Sequence, residues 1–388
     1  MRRIDAVSVK LPYRNSRSKW LDGSRVRYEG DTEIFTYNVG REPLEVHSHQ
    51  YNWQQAFLSA GLEPPIVWDN RKPPVQQVLD NMVMGLARMA PTHKELCLWE
   101  EAFHCYPPVA KQLKHIFTHS VMIAANDNGG CKVHKEGWSA IATMPSAQYF
   151  DSVIHGNIIW KTDGAKTADM YRSLGVTDLY YATQPMSPSF GDRLTALKFD
   201  FEHRLEELKK GRYIYDFSFV GSAHGDYRYV LNLPETTALF QAKGVRTVLY
   251  GAGMRDGSLL PHESDNVDIW GMPVADLYLN SFATANVPFI GLLSMRLYDA
   301  WETGTLLIQH DPVGELDDFG IEPDVHYASY DGSVADMIRV IKYYQQHMSE
   351  TERILRAGFA KGREMQLRYS KERTIEDLLN HHSHKWGY

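Results

Sequence analysis

Short apolar runs alternate with turn-rich polar stretches along most of the chain, and their spacing switches repeatedly between the period of a strand and that of a helix. Glu33-Ile-Phe-Thr-Tyr-Asn-Val39 alternates and is rich in β-branched and aromatic residues, which predicts a first strand. The apolar spacing from Tyr51 to Ala60 is helical and stops at Gly61, and Pro64-Pro-Ile-Val-Trp68 reads as the next strand. Strand, helix and strand make a βαβ opening, whose natural consequence is a parallel sheet. Val75 to Ala90 reads as helix, and the aromatic-rich region from Glu95 to Leu113 as helices broken at Pro107-Pro108. His119 to Ala125, Phe150 to Ile154, Ile158 to Trp160 and Asp178 to Ala182 are short, apolar and bounded by turn residues, with a helix around Ala168 to Leu174 among them.

Pro185-Met-Ser-Pro-Ser189 interrupts this alternation and is the linker candidate. A charged helical stretch, Thr195 to Lys210, leads into Tyr215-Asp-Phe-Ser-Phe-Val220, which starts a second series. Gly244 to Gly251 is a further strand ending in glycine, Ala275 to Leu279 a helix fragment, and Thr305-Leu-Leu-Ile308 a short buried strand. Helices are expected from Ser333 to Tyr344, from Thr351 to about Arg368, and from Lys371 to Leu379 after a bend at Tyr369-Ser370. The expected architecture is α/β, with two Rossmann-like domains, 1–188 and 189–370, facing a central cleft, and a C-terminal helix and tail, 371–388.

A chain of 388 residues exceeds one ordinary core, in line with two domains. Its 43% hydrophobic and 23% charged residues exclude a disordered protein, and no apolar run approaches the roughly 20 residues that span a bilayer. Met1-Arg-Arg-Ile-Asp-Ala lacks the apolar core of a signal peptide, so the expected location is cytoplasmic with no membrane span. Cys97, Cys105 and Cys131 form no CxxC pair and predict neither a disulfide framework nor a cysteine zinc site. A net charge of −7 excludes a wholly basic nucleic-acid binder. The first thirty residues are nevertheless locally basic, with Arg2, Arg3, Lys10, Arg14, Arg17, Lys19, Arg25 and Arg27 against Asp5, Asp22 and Glu29. They read as a solvated arm or, alternatively, as a contact for an anionic partner.

The candidate chemistry centres on Ser294-Met-Arg-Leu-Tyr-Asp-Ala-Trp-Glu-Thr-Gly304. Arg296 and Asp299 are three apart and share a face of a helix that Gly304 would stop. A cation and a carboxylate on a helix opening onto a sheet edge suit a nucleotide diphosphate, the cation for phosphate and the carboxylate for ribose hydroxyls. The alternative reading of the same two residues is an exposed helical ion pair.

Gly221-Ser222 after a strand, Arg228 seven residues beyond that glycine, Arg246 to Gly251 as strand and turn, and Ser294-Met-Arg-Leu-Tyr-Asp-Ala300 occur in this order. They are followed by Asp324-Val-His-Tyr-Ala-Ser-Tyr330 and Asp336-Met-Ile-Arg-Val-Ile-Lys-Tyr-Tyr344. Together these resemble the carboxyl half of a GT-B glycosyltransferase, and most closely the CgeB-like group named for a spore maturation protein. The resemblance covers Asp216 to Leu379 and only loosely the first domain. It implies that Gly221, Ser222 and Arg228 lie against a donor pyrophosphate, with Gly251 in the neighbouring turn, and that Arg296 adds a second cation. It also implies that Asp299 stands where the acid holding the donor ribose stands; many relatives carry glutamate there, and Glu302 is near enough to share the role.

Such a site would transfer a sugar from a nucleotide-diphosphate donor, UDP-type, to an acceptor hydroxyl. Arginines and helix amides, rather than a metal or cofactor, would stabilise the leaving diphosphate. Asp317-Asp318 beside a loop reads as a solvated turn instead of a metal site. The acceptor base is sought in the first domain, with Asp127 after its strand first and His49 and His47 next, His134 also being considered. His47-Ser-His49 lacks a third ligand for a metal, and His381, His382 and His384 read as a polar tail. Two further functional readings are a DNA glycosyltransferase acting on a hydroxylated base and a non-catalytic nucleotide- or sugar-binding module; an epimerase of similar fold is a variant of the first reading.

Overall fold

Strands covered by helices on both faces must be apolar along their whole length, and that requirement is what the second half of the chain meets most fully. The computed structural model describes residues 6–10, 25–29, 32–36, 66–68, 96–100, 111, 118–124, 144–155, 167–182, 188–221, 230–251, 254–256, 271–287, 293–312, 314 and 316–386. These residues form two units, Met1–Thr183 together with Tyr369–Tyr388, and Gln184–Arg368.

The first unit holds β1 (Ala6–Lys10), β2 (Arg25–Glu29), β3 (Thr32–Thr36), β4 (Ile66–Trp68), β5 (Leu96–Glu100), β6 (His119–Ala124), β7 (Ser152–His155) and β8 (Leu179–Tyr181), with α1 (Thr167–Ser173) before β8. They build an eight-stranded sheet in the order β2-β3-β4-β1-β5-β6-β7-β8. The strands from β4 to β8 pair in parallel, while β2 and β3 add an antiparallel edge. β1 lies inside the sheet between β4 and β5, so Ala6–Lys10 of the basic opening belongs to the sheet, and Glu33 to Val39 does not hold the first strand. Alternation in Ala6-Val-Ser-Val-Lys10 is the strand signal that the surrounding charges obscure. Glu95 to Leu113 also departs from expectation, because Leu96–Glu100 is a strand. The helices expected at 51–60 and 75–90, and the strand at 158–160, lie outside the described residues.

The second unit begins with α2 (Pro188–Ala196) and α3 (Phe201–Lys209), two helices where one was expected. There follow β9 (Tyr215–Val220), α4 (Pro234–Ala242), β10 (Thr247–Tyr250), α5 (Gly271–Leu279), β11 (Ser281–Asn286), α6 (Met295–Glu302), β12 (Leu306–Gln309), β13 (Ala328–Ser329), α7 (Val334–Gln346) and α8 (Met348–Arg368). The sheet is five-stranded and parallel, in the order β10-β9-β11-β12-β13. Every residue of β11 and β12 is buried. Sequence patterning did not separate β11, because Ser281-Phe-Ala-Thr-Ala-Asn286 has one large apolar residue among small ones. Arg246 is at the amino end of β10, where its guanidinium and backbone N–H hold the Asp216 carboxylate at the start of β9. That contact draws the Asp216 pKa below its usual value against the opposing effect of burial.

Among the described residues of the second unit, burial of the largest aromatic depends on glycine. Trp301 of α6 is almost wholly enclosed and donates its indole N–H to the His326 carbonyl at 2.8 Å. Its ring lies on Gly358 and Gly362 of α8. A Cβ at Gly358 would stand 2.5 Å from the indole and 2.9 Å from the His326 oxygen, and neither a rigid ring nor a backbone carbonyl yields cheaply.

The last helix, α9 (Lys371–His381), packs on the first unit. Thr374 donates to the Tyr181 carbonyl at 2.9 Å, and Tyr369 meets the Tyr181 ring edge-on at 5.3 Å. His382 beyond it is buried and hydrogen-bonded, so the expectation of a polar tail fails at this residue. Gly358→Ala is expected to lower stability by about 1–3 kcal/mol through overpacking against Trp301. Urea unfolding should show a lower midpoint with an unchanged slope; a midpoint equal to that of the parent chain would contradict the contact.

Candidate functional site at the carboxyl edge of the second sheet

In the order β10-β9-β11-β12-β13 the chain fills one side of β9 and then crosses to the other. The carboxyl ends of β9 and β11 therefore flank the point where the winding reverses, and open α/β sheets bind ligands in the crevice at such a point. The residues leaving these strands form one hydrogen-bonded chain. Arg296, in the first turn of α6, donates from Nε and Nη2 to the Val220 carbonyl at 3.0 and 2.6 Å, and from Nη1 to Asn286 Oδ1 at 3.2 Å. One guanidinium thus joins the ends of β9 and β11 across the switch point. Its plane lies over the Phe219 ring, 4.8 Å from the centroid. Asn286 in turn donates to Gln309 Oε1 at 2.7 Å, Gln309 donates to the His310 carbonyl at 2.8 Å, and His310 Nδ1 lies 2.9 Å from the Tyr330 carbonyl. The ends of β9, β11, β12 and β13 are so linked in sequence.

Glycine lets the backbone turns approach this chain. Gly221 donates its N–H to the Tyr250 carbonyl at 2.9 Å, and a Cβ on it would stand 2.9 Å from Arg296 Nη2. Gly251 has φ of +144°, and a Cβ there would stand 1.8 Å from the Gly221 carbonyl oxygen. Gly221, Gly251 and Arg296 are therefore brought together. The beginning of α6 adds to the same edge: Ser294 occupies the cap position but makes no side-chain cap bond, its hydroxyl donating to Asn286 Oδ1 at 2.8 Å instead. The positive end of the helix dipole stands there with its leading amides uncapped by a side chain.

Asp299, one turn further along α6, is buried, and among the described residues its Oδ1 has no hydrogen-bond partner. Burial pushes its pKa from 3.8 up to about 8; Arg296 opposes the shift and Glu302 adds to it. The carboxyl is thus predominantly neutral at pH 7 and can donate as well as accept a hydrogen bond. This differs from the exposed ion pair that the spacing alone allows. Glu302 is half-buried and also raised, by burial first, with Arg363 drawing it back.

Ser222 and Arg228 lie outside the described residues, as do Asp127, His47, His49 and His134. Asp317 and Asp318 are exposed on a short 3₁₀ turn, Leu316–Phe319. The sequence reading passed over Asn286, Gln309 and His310. The usable signal was positional: each stands at or just beyond the carboxyl end of a parallel strand, but β11 had first to be recognised as one.

Comparison with protein-family models and with curated protein sequences finds no match. Solved structures do match over the whole chain. A glycosyltransferase from Rickettsia africae ESF-5 is similar with a TM-score of 0.60, 8% identity and 100% coverage of both chains. Sucrose-phosphate synthase from Thermosynechococcus elongatus gives a TM-score of 0.57 at 10% identity, over 97% of this chain and 98% of that one. The chain has a GT-B fold. Anabaena Alr3699/HepE, solved in complex with UDP and glucose, is similar with a TM-score of 0.50 and 12% identity over 89% of this chain and 97% of that one. These GT-B neighbours do not single out the CgeB-like group.

The raised pKa of Asp299 gives a pH signature. Its carboxyl ionises freely in the unfolded chain near 3.8 but resists ionisation in the folded chain up to about 8. The folded state therefore binds more protons across this window, and this residue's contribution to stability falls as pH rises through it. Asp299→Asn cannot ionise, so its stability relative to the parent should increase from pH 4 to pH 8 and then level off. Urea titrations of both proteins at several pH values measure the difference; a constant difference would exclude a buried neutral carboxyl.

Proposed function

We propose that this protein is a nucleotide-sugar glycosyltransferase of the CgeB-like group, taking a UDP-type donor and acting in the cytoplasm. The observation that carries the reading is Arg296 joining the ends of β9 and β11 at the switch point, against the Gly221 turn. The GT-B fold and the UDP and glucose bound in the HepE structure support it.

In this reading the acceptor oxygen attacks the anomeric carbon while the bond to the diphosphate breaks, and negative charge builds on the departing phosphate. Arg296 and the amino end of α6 stabilise that charge, the side-chain-free turns at Gly221 and Gly251 leave room for the diphosphate, and Ser222 and Arg228 are assigned to the same diphosphate. The reaction then needs no metal ion, because fixed cationic and amide groups supply the stabilisation. Asp299, a neutral carboxyl with an unpartnered oxygen, is assigned to a ribose hydroxyl, with Glu302 beside it. The acceptor proton is assigned to Asp127, with His49 and His47 as the next choices.

UDP is expected to raise the melting temperature of the parent chain. Charged hydrogen bonds are worth about 1.5–3 kcal/mol, so Arg296→Ala should weaken UDP binding roughly 10- to 150-fold. Arg296→Lys, which keeps the charge but not the fork, should fall between the two, and urea midpoints should establish that each variant is folded. An undiminished UDP shift in folded Arg296→Ala would overturn the site. Mass spectrometry of products from a panel of UDP-sugars and acceptors would distinguish transfer from mere binding.

A further inference from the structure

A second cluster of polar side chains lies in the first unit, at the opposite end of the strands from the edge where a parallel sheet binds ligands. His119 is the first residue of β6, Ser152 the first of β7, and Asp178 immediately precedes β8. His382, just beyond α9, comes to the same point from the far end of the sequence. His119 and Ser152 are fully buried and His382 nearly so. His119 Nε2 is 2.7 Å from Ser152 Oγ, His382 Nε2 is 2.6 Å from Asp178 Oδ2 and 3.5 Å from Ser152 Oγ, and Ser152 Oγ also donates to Asp178 Oδ2. One ligand atom from each of His119, Asp178 and His382 falls within 4.8 Å of the other two.

We propose that His119, Asp178 and His382 form a binding site for a zinc-like divalent cation that staples the C-terminal segment to the first unit. Two imidazoles and a carboxylate are a common ligand set for such an ion, and tetrahedral coordination with bonds of ~2.0–2.1 Å places neighbouring ligand atoms ~3.4 Å apart. His382 Nε2 and Ser152 Oγ, 3.5 Å apart, already match that edge, while His119 Nε2–Ser152 Oγ at 2.7 Å and His382 Nε2–Asp178 Oδ2 at 2.6 Å are hydrogen-bonded and must open by about 0.7–0.8 Å. The Ser152 hydroxyl touches all three ligands, so rotating it and the two rings outward would seat the ion and leave the fourth position to that hydroxyl or to water. The groups belong to three adjacent strand starts and to a residue more than two hundred positions away, so a bound ion would cross-link the sheet to the end of the chain. The location separates this site from the proposed transfer chemistry, and the inference does not rest on that chemistry.

Without the ion, protons hold the cluster together. The Lys385 amine lies 2.6 Å from His119 Nδ1, and as an ammonium it donates there. His119 then carries its proton on Nε2 and donates to Ser152, whose hydroxyl donates to Asp178, which also accepts from His382 Nε2. Metal binding requires the Nε2 lone pairs. Each ring must shift its proton to Nδ1 or release it, and His119 Nδ1 then no longer accepts from Lys385. Lys385 is therefore a competitor of the ion, held at the back of one ligand. A bare acidic patch would not show this arrangement, and it makes the site testable by a substitution that should improve it.

The full chain, stripped with a chelator and titrated with Zn(II) or Co(II), should bind one equivalent tightly enough to survive dialysis. Co(II) should develop the visible absorption of a four-coordinate site, and Zn(II) should raise the melting temperature. Asp178→Asn, nearly isosteric, should lower affinity by about 10- to 100-fold or more. Lys385→Met should bind at least as tightly as the parent, and His384→Asn, beside but outside the ligand set, should be unchanged. The absence of stoichiometric binding by the parent, or equal binding by folded Asp178→Asn, would overturn the proposal and leave a purely hydrogen-bonded clamp. Because UDP binding is read in a separate titration, its success or failure leaves this result unaffected.

Discussion

One guanidinium bridges the carboxyl ends of the two paired strands at the switch point of the second sheet. Parallel strands on either side of a winding reversal receive no connection at their carboxyl ends, since the chain leaves β9 and β11 in opposite directions. Arg296 extends the β9–β11 pairing past its last paired residues by donating to Val220 and Asn286. That tie depends on α6 entering at the right height, which Trp301 fixes by sinking onto Gly358 and Gly362. It also depends on Gly221 and Gly251, where any side chain would collide with the guanidinium or with the opposing backbone. The same residues that brace the sheet edge thereby concentrate positive potential at it.

Charge at this edge is asymmetric. Arg296 and the opening of α6 face it with positive and partly positive groups, whereas the nearest carboxyl on the helix, Asp299, is kept neutral by burial. If Asp299 were ionised, its charge would cancel much of the field that an anionic ligand requires. Burial therefore has a consequence for binding as well as for stability: it leaves a hydrogen-bonding group without a competing negative charge. The proposed diphosphate site follows from this difference between two residues that the sequence pairs as opposites.

The second unit was largely readable from patterning because its strands are short, apolar and flanked by glycine, as at Tyr215–Val220 and Thr247–Tyr250. Helices α6, α7 and α8 carry clean amphipathic spacing, and Gly304 stops α6 with φ of +60°. β11 was not readable, because small residues carry little hydrophobic signal even when wholly buried in the centre of a sheet. β1 was missed because charge in the surrounding segment outweighed a five-residue alternation. Arg296 and Asp299 were found as a pair by helical spacing, but spacing does not reveal that one braces two strand ends while the other is buried and neutral. Nor can local sequence show that His382 returns to Asp178 and Ser152, since that proximity is created only by the fold.

The central claim is that the braced edge between β9 and β11 receives a nucleotide diphosphate. A crystal structure of the chain with UDP tests it most directly. The account predicts the diphosphate within hydrogen-bonding distance of Arg296 and of the first amides of α6, beside the Gly221 turn, with the ribose toward Asp299. UDP bound elsewhere, with Arg296 making no approach to phosphate, would contradict it.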